Sequence, residues 1–145
     1  MPPRTIEPAL RRPRRRNRSW QRQRLLELLL STDRHPTAAV LFDALRVDSP
    51  RLSLGTVYRN LDVLIADGEI EAVPGTDGIV RYDGNPDPHH HFICESCAEI
   101  MDLELPSPRG LTSRLRRKHG LEARRARIDF YGLCPKCTSH RPNPN

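Results

Sequence analysis

All four cysteines of the chain fall into two C-x-x-C pairs. Cys94 and Cys97 form the first pair, and Cys134 and Cys137 form the second pair near the end of the chain. Four thiolates at about 2.3 Å from one zinc ion make a tetrahedral site, and each C-x-x-C turn supplies two of them with little strain. Disulfides and a redox-active C-x-x-C are the alternatives, but a redox motif needs only one pair. The spacing therefore predicts a structural zinc site that joins two distant elements.

A second group of possible metal ligands flanks the first cysteine pair. His89, His90 and His91 are consecutive, and Asp102 follows in an apolar segment. If the histidines lie on a strand, His89 and His91 point to one face and His90 to the other. Two imidazoles and a carboxylate suit a divalent ion such as iron or manganese better than four thiolates do. A solvated run of histidines explains the same pattern, so these residues alone leave both interpretations open.

The length and composition of the chain limit its class. A chain of 145 residues fits one domain or two small ones, each with a modest core. No apolar run approaches the roughly 20 residues that span a membrane, and the N-terminus lacks the apolar region of a secretory signal. We therefore expect a cytoplasmic protein without a membrane partner, in a compartment where reduced cysteines are compatible with zinc.

The net charge of +6 is unevenly distributed along the chain. Residues 1–18 contain seven arginines and one glutamate, so this segment alone matches the whole formal excess. Its prolines and its charge predict a disordered tail. Beside a DNA-binding domain, such a tail can neutralise phosphates or enter a minor groove. A solubilising leader and a misassigned start codon are the alternatives.

Three helices followed by a β-hairpin are predicted for the N-terminal half. The first helix begins after Ser19, the second covers residues 38–47 after Thr37, and the third begins at Ser53 and ends at residues 67–68. The spacing of apolar residues then changes from that of a helix to that of strands, which predicts a hairpin over residues 70–73 and 79–82. The residues predicted to form the apolar faces are Leu25, Leu26, Leu28, Leu29, Leu30, Val40, Leu41, Ala44, Leu45, Val57, Leu61, Leu64 and Ile65.

This order of elements is a winged helix-turn-helix, a DNA-binding module. Its third helix lies in the major groove with its N-terminal residues at the base edges. Arg59 can bond guanine or phosphate, and Tyr58 offers a ring and a hydroxyl group. Packing of Tyr58 in the core is the alternative. The residues of this helix that are predicted to contact DNA are Ser53, Thr56, Tyr58 and Arg59.

Residues 85–88 have the composition of a linker and mark a predicted hinge. Beyond it we predict strands over 89–93 and 99–105, a helix over 106–118 with Ser107 at its start, and a third strand over 121–131. The predicted fold class is α+β. An N-terminal winged-helix domain over 19–84 precedes a small α/β domain over 89–137 that carries the zinc site, and a tail over 138–145 follows.

The order and spacing of these motifs resemble the ferric uptake regulator (Fur) family of metal-dependent bacterial repressors. The resemblance runs from about residue 19 to residue 137. The residues that carry it are Gln21-Arg22, His35-Pro36-Thr37-Ala38, Thr56-Val57-Tyr58-Arg59-Asn60-Leu61, Arg81-Tyr82-Asp83, His89-x-His91-x-x-Cys94-x-x-Cys97, Asp102 and Tyr131-Gly132-x-Cys134-x-x-Cys137.

The resemblance implies a homodimeric repressor, not an enzyme, that binds double-stranded operator DNA. It implies that residues 89–137 form a dimerisation and metal-binding domain with structural Zn²⁺. It also implies Arg18 and Arg22 as DNA-binding residues, although Asn17 occupies the position of the usual basic residue before the first helix. The ligands that it implies for a regulatory Fe²⁺ or Mn²⁺ at the hinge are His35, Asp83, His89, His91 and Asp102.

Asp102 is similar to the aspartate of the peroxide-sensing branch, whereas the iron-sensing branch usually has glutamate there. In the peroxide-sensing branch, bound ferrous iron reacts with peroxide and a ligating histidine is oxidised, here His35 or His89. A repressor of metal uptake genes that responds to iron or manganese level is the alternative. A complete copy of the additional metal site of many relatives is not expected, because its positions hold Pro88, His90, Arg109 and Ala126.

A metalloenzyme and an architectural or RNA-binding zinc protein are the competing classes. Histidines and carboxylates on one metal can activate water, but no separate general base or substrate-pocket signal is obvious in the sequence. An architectural protein would bind DNA equally well with and without the second metal.

Overall fold

The computed structural model describes residues 19–106 and 109–140, which form five helices and five strands. The helices are α1 (Trp20–Leu30), α2 (Ala38–Arg46), α3 (Leu54–Ala66), α4 (Arg109–His119) and α5 (Pro135–Thr138). The strands are β1 (Glu71–Pro74), β2 (Val80–Asp83), β3 (His90–Cys94), β4 (Ile100–Leu103) and β5 (Asp129–Gly132). The predicted tail over 1–18 with Arg18, the helix start at Ser107 and residues 141–145 lie outside the described ranges. No helix in the described ranges is both long and apolar enough to cross a membrane.

Each of the first three helices begins after a hydroxyl side chain. The side-chain oxygens of Ser19, Thr37 and Ser53 each accept the backbone N–H three residues later. These caps satisfy donors that the first turn of a helix leaves free, and all three were predicted. Helix α3 ends before Gly68, whose φ of 72° is the left-handed conformation that glycine adopts without a steric penalty.

The core of the N-terminal unit lies between these three helices and the hairpin. The buried face of α2 consists of Ala38, Leu41 and Leu45, at the i, i+3, i+7 spacing of one helical face. The prediction that Val40 and Ala44 lie in this face was wrong, because both are exposed on the other side of the helix. The buried residues of this core are Leu25, Leu26, Leu29, Ala38, Leu41, Leu45, Val57, Leu61, Leu64, Ile70 and Tyr82.

The wing is the antiparallel hairpin of β1 and β2, and each strand lies one residue later than predicted. The segment before α2 runs beside β2, since the Tyr82 N–H donates to the Pro36 carbonyl at 3.0 Å. Thr37 forms an isolated antiparallel bridge with Arg81. This pairing brings His35, which precedes Pro36, beside Asp83 at the end of β2.

The second sheet has the order β4-β3-β5, with β3 antiparallel to β4 and parallel to β5. The predicted third strand over 121–131 was too long. Residues 121–127 are exposed, and pairing begins only at Ile128, whose carbonyl accepts the His91 N–H at 3.2 Å. Residues 121–127 therefore pair with no strand in the described part of the chain.

The wing packs against the second sheet. Val73 of β1 forms a small apolar cluster with Ile93 and Ile100. Thr76 in the wing loop donates its hydroxyl to the Cys94 carbonyl at 2.7 Å. The predicted α+β fold, a winged helix followed by a small α/β unit with a four-cysteine cluster, is confirmed.

Candidate functional site

The four cysteines form one cluster at the end of the second sheet. Their sulfur atoms all lie within 4.8 Å of one another, and the sulfurs of Cys97 and Cys134 are 3.8 Å apart. Thiolates at about 2.3 Å from a central zinc ion are about 3.8 Å from each other in a tetrahedron. Disulfide sulfurs are about 2.05 Å apart. The cysteines are free thiols here, so the arrangement fits zinc and not a disulfide.

The thiols of this cluster differ in how readily they ionise. The backbone N–H groups of Cys97 and Cys134 point at the Cys94 sulfur and lower the pKa of Cys94 to about 6. The Glu99 N–H favours the Cys97 thiolate, but the neighbouring cysteines and burial outweigh it and raise the pKa of Cys97 to about 12. A cluster of this kind ionises completely only when a cation is present, which is the behaviour of a metal site.

The second cluster gathers five side chains from both halves of the chain. Each contributes one nitrogen or oxygen atom, and these atoms all lie within 4.8 Å of one another. Oδ2 of Asp83 lies 2.7 Å from Nε2 of His89 and 2.9 Å from Nε2 of His91. Oδ1 of Asp102 lies 2.9 Å from Nε2 of His35. The two N-terminal members come from the loop before α2 and the end of β2, and the others lie at or beside β3 and on β4.

The atoms of this cluster need a partner that the surrounding protein does not supply. Nε2 of His35 and Oδ1 of Asp102 are buried, and although they lie 2.9 Å apart, neither has hydrogen-bond geometry to any described residue. Buried polar groups without partners are costly. Three imidazoles and two carboxylates are the donors that Fe²⁺ and Mn²⁺ accept, and a divalent cation between them would satisfy all five. The residues present therefore fit the expected regulatory metal.

In His89 and His91, the contacts of Nδ1 orient the ring so that Nε2 faces the cluster. Nδ1 of His89 lies 2.6 Å from the Asp87 carbonyl, so it carries the proton and leaves Nε2 free to bind. Nδ1 of His91 faces Oδ1 of Asp129 at 3.5 Å. Carbonyl and carboxylate partners of this kind fix the tautomer of metal-binding histidines. His90 points to the opposite face, as predicted.

Asn85 holds the two carboxylates. Its backbone N–H donates to Oδ1 of Asp83 at 2.8 Å, and its side-chain amide donates to Oδ2 of Asp102 at 3.2 Å. The oxygens that face the cluster are Oδ2 of Asp83 and Oδ1 of Asp102. The supporting roles of Asn85, Asp87 and Asp129 were not predicted from the sequence, because polar residues that support ligands have no characteristic spacing.

The charges of the second cluster depend on one another. Burial disfavours ionisation of Asp83, but the His35 and His91 imidazoles and the Asn85 N–H outweigh it and hold the pKa of Asp83 well below its usual value. Burial also disfavours protonation of His89, but the Asp87 carbonyl and the nearby carboxylates raise the pKa of His89 above its usual 6.5. Protons therefore compete with a metal for His89.

The polar end of α3 faces outward. Tyr58 is 47% exposed, so the alternative that it packs in the core is excluded. Arg59 donates to Oγ1 of Thr56 at 3.0 Å, and that oxygen lies 2.9 Å from Oγ of Ser53. The side chain of Arg59 is thus held beside the N-terminus of α3 by Thr56. Arg22 lies partly buried on α1.

The positions of the family's additional metal site have other roles here. Nδ1 of His90 accepts the Ile128 N–H at 3.0 Å, and its Nε2 lies 3.4 Å from the Pro106 carbonyl. His90 therefore supports the pairing of β3 and β5. Arg109 and Ala126 are exposed.

Known proteins share both the sequence pattern and this fold. The model of the ferric uptake regulator family matches residues 17–131. The peroxide-responsive repressor PerR of Staphylococcus aureus is 33% identical over 117 residues, which cover 81% of this chain and 79% of that protein. The Campylobacter jejuni peroxide stress regulator has a TM-score of 0.70 at 28% identity, covering 81% of this chain and 88% of that one. A zinc uptake regulator solved with zinc and DNA has a TM-score of 0.62 at 27% identity and covers 83% of each chain. The chain therefore belongs to the ferric uptake regulator family.

Proposed function

We propose that this protein is a homodimeric repressor that binds operator DNA when Fe²⁺ or Mn²⁺ occupies the His/Asp cluster, and that peroxide releases it from DNA. The observation that carries the proposal is the convergence of five ligand atoms within 4.8 Å. His35 and Asp83 belong to the winged helix, whereas His89, His91 and Asp102 belong to the unit that follows. A metal at this point ties the two units together.

The proposed domains are the winged helix over 19–84, a hinge over 85–88 and a dimerisation and metal-binding domain over 89–137. The separation of the two sheets supports this division, as does the lack of a regular element between Asp83 and His90. Binding of all five ligands would set the distance between the α3 helices of a dimer. Because operator half-sites have a fixed spacing, only one such distance matches them.

An edge of the second sheet offers a surface for a second copy of the chain. Strand β5 is at the end of the β4-β3-β5 order, and its aromatic side chains Phe130 and Tyr131 are exposed. Helix α4 has no buried residue in a single chain. An edge strand that is unpaired among the described residues and an unburied amphipathic helix both favour association with another copy.

The DNA-binding residues of the proposal are Ser53, Thr56, Tyr58 and Arg59, together with Arg22 and Arg18. The exposed polar end of α3 supports the first four, and the zinc uptake regulator solved with DNA has the same fold. In this arrangement Arg59 reads a base edge or a phosphate, while Thr56 limits the rotamers available to its guanidinium.

The response to peroxide is supported by two of the relatives, which are named for peroxide, and by access to the cluster. A cavity of about 580 Å³ is bordered by His35, Arg81, Met101 and Asp102, among others, and opens to solvent. The Asp102 side chain is 26% exposed, whereas that of His35 is 2% exposed. Bound ferrous iron would promote the step, in which one oxygen of peroxide adds to a ring carbon of His35 or His89, the other leaves as water, and the imidazole supplies the two electrons. Because the imidazoles of His35 and His89 are buried, their ring carbons lie next to the proposed metal position and away from bulk water.

Metal-dependent DNA binding is the first test. Zinc-loaded protein, purified without oxygen, selects duplexes from a random library in the presence of Mn²⁺, and the affinity for a selected duplex is then measured with and without Mn²⁺. We expect much tighter binding with Mn²⁺, and loss of that difference in Asp102→Asn. Glu104→Gln, a neighbouring carboxylate outside the cluster, is the matched control. Equal affinity with and without Mn²⁺ in the unmodified protein would favour an architectural protein instead.

Peptide mass spectrometry tests the signal. Iron-loaded and manganese-loaded dimers are exposed to micromolar-scale peroxide, and the peptides that contain His35, His89 and the control His119 are compared. We expect addition of oxygen at His35 or His89 only with iron, together with release of DNA. The zinc-bound cysteines should be unmodified, because metal binding lowers thiolate reactivity. Oxygen on cysteine alone, or equally in both metal forms, would leave a repressor that responds to iron or manganese level.

A further inference from the structure

One arginine outside both metal clusters connects the wing to the second sheet. Nη1 of Arg127 donates to Oε2 of Glu71, the first residue of β1, at 2.6 Å. On its other side, Nη2 donates to Oδ2 of Asp129 at 3.1 Å, and Nε lies 2.9 Å from Oδ1 of the same carboxylate. Asp129 is the first residue of β5. A single guanidinium therefore contacts carboxylates from both units of the chain.

Asp129 also lies next to His91, a member of the His/Asp cluster. Oδ1 of Asp129 lies 3.5 Å from Nδ1 of His91, and neither atom has a hydrogen-bond partner among the described residues. The His91 ring is fully buried, and the Asp129 carboxylate faces both this ring and the Arg127 guanidinium. Glu71, Arg127, Asp129 and His91 thus form a continuous path from the wing strand to the cluster.

We propose that Arg127 is a positioning residue that couples the His/Asp cluster to the wing. The planar guanidinium fixes the Asp129 carboxylate, whose Oδ1 faces Nδ1 of the His91 ring at 3.5 Å, and it holds Glu71 in the same geometry. This inference rests on the proposed function. Metal binding at Nε2 of His91 requires one ring orientation, and in this structure that orientation occurs together with the contact between Arg127 and Glu71.

A surface ion pair is the simpler account of the same contacts. The side chains of Glu71, Arg127 and Asp129 are 36%, 28% and 21% exposed, so solvent weakens each pair but does not surround it. Arg125 also approaches Glu71, at 3.3 Å, but is 81% exposed and contacts no carboxylate of the second sheet in the described residues. A surface pair would change stability alone. A coupling residue changes how strongly metal affects DNA binding.

The experiment compares Arg127→Gln, Arg127→Lys, Glu71→Gln and the double variant Glu71→Gln/Arg127→Gln. Arg46→Gln, which removes the same charge from the exposed pair of Arg46 and Asp43 on α2, is the control. Zinc content and melting temperature establish that each variant is folded. The quantity measured is the ratio of the dissociation constants for a selected duplex without and with Mn²⁺, because a uniform loss of charge cancels in that ratio. The Mn²⁺ affinity without DNA and hydrogen exchange of the β1 amides give readouts that do not depend on DNA.

We expect the ratio to fall about three- to tenfold in Arg127→Gln and in Glu71→Gln, with no further fall in the double variant. Arg127→Lys should not restore the ratio, since an ammonium group cannot contact both carboxylates in a fixed plane. In Arg127→Gln, Mn²⁺ should also protect the β1 amides less than it does in the unmodified protein. An unchanged ratio in Arg127→Gln and Glu71→Gln overturns the inference and leaves the proposed function intact. A ratio of one in the unmodified protein overturns both.

Discussion

Gly84 lies so close to the end of α1 that a Cβ atom on it would come within 2.8 Å of the Leu29 carbonyl carbon and of the Leu29 Cβ. Gly84 directly follows Asp83, a member of the His/Asp cluster. The chain can therefore leave β2 and enter the hinge along this path only when the residue after Asp83 has no side chain.

Gly84→Ala should displace Asp83 or the end of α1. We expect a cost of about 1–3 kcal/mol in the free energy of unfolding, as for other overpacked sites. Mn²⁺ affinity should fall about tenfold, because ligand positions are sensitive to their supporting contacts. Thermal unfolding and metal titration measure both effects. Gly110→Ala on α4 is the control, since a Cβ at that position has no atom of another described residue within 4 Å. A Gly84→Ala protein with unchanged melting temperature and Mn²⁺ affinity would contradict this packing.

The zinc cluster is expected to contribute directly to folding. Cys134→Ser removes a buried thiolate from the end of the second sheet and should lose zinc, several kcal/mol of stability and the dimer. Cys137→His keeps four ligands in a Cys₃His set and should retain zinc. Metal analysis measures the zinc content of both variants, and sedimentation measures whether each is a dimer. The assignment fails if the Cys134→Ser protein is a dimer with the original melting temperature.

Arg59→Ala should weaken binding to the selected duplex by about 1–3 kcal/mol, the range for a bidentate base contact. Binding to random duplexes should change far less. Thr56→Val keeps the arginine but removes the hydroxyl that holds it, and should have a smaller effect in the same direction. Arg116→Ala on α4 controls for charge. Equal losses for selected and random DNA would show that Arg59 contacts only phosphates.

The wing contains an ion pair whose effect on stability depends on pH. Hydrogen bonds from Arg81 and the Ile79 N–H hold the pKa of Asp77 well below its usual 3.8. A carboxylate whose folded pKa is lowered stabilises the fold fully above its unfolded pKa and loses that contribution as pH falls toward the folded value. The unfolding free energy should therefore decrease below about pH 4. Asp77→Asn and Arg81→Gln should each make that decrease shallower in acid titrations of stability, and equal slopes in all three proteins would contradict the assignment.

The sequence predicted the elements whose signals are local. Ser19, Thr37 and Ser53 are hydroxyl caps before apolar segments, and a cap depends only on the first turn that follows it. The face of α2 was less predictable, because Val40 and Ala44 are as apolar as the residues that are buried. Only the packing of α1 and α3 determines which side of α2 is covered.

The metal clusters also combine features with a local signal and features that depend on the folded structure. The cysteine pairs and the alternation of His89 and His91 are visible in the spacing, whereas His35 and Asp83 were implied only by the family resemblance. Asn85 contacts the cluster through hydrogen bonds, and Asp129 lies 3.5 Å from His91; no spacing in the sequence reveals either position. Arg127 and Glu71 are 56 residues apart, and their pairing depends on the wing folding back onto β5.

The position of the cysteines relative to β3 and β5 has a consequence for how fast the chain folds. Parallel pairing of these strands requires a crossover through α4, and long-range contacts of this kind form slowly because the intervening loop must be closed first. Cys94 ends β3, and Cys134 follows two residues after β5. A zinc ion captured by both C-x-x-C pairs would close that loop before the strands pair and would favour their correct register. Zinc would then act as a folding nucleus, so refolding should be slower, and not merely less complete, when zinc is withheld.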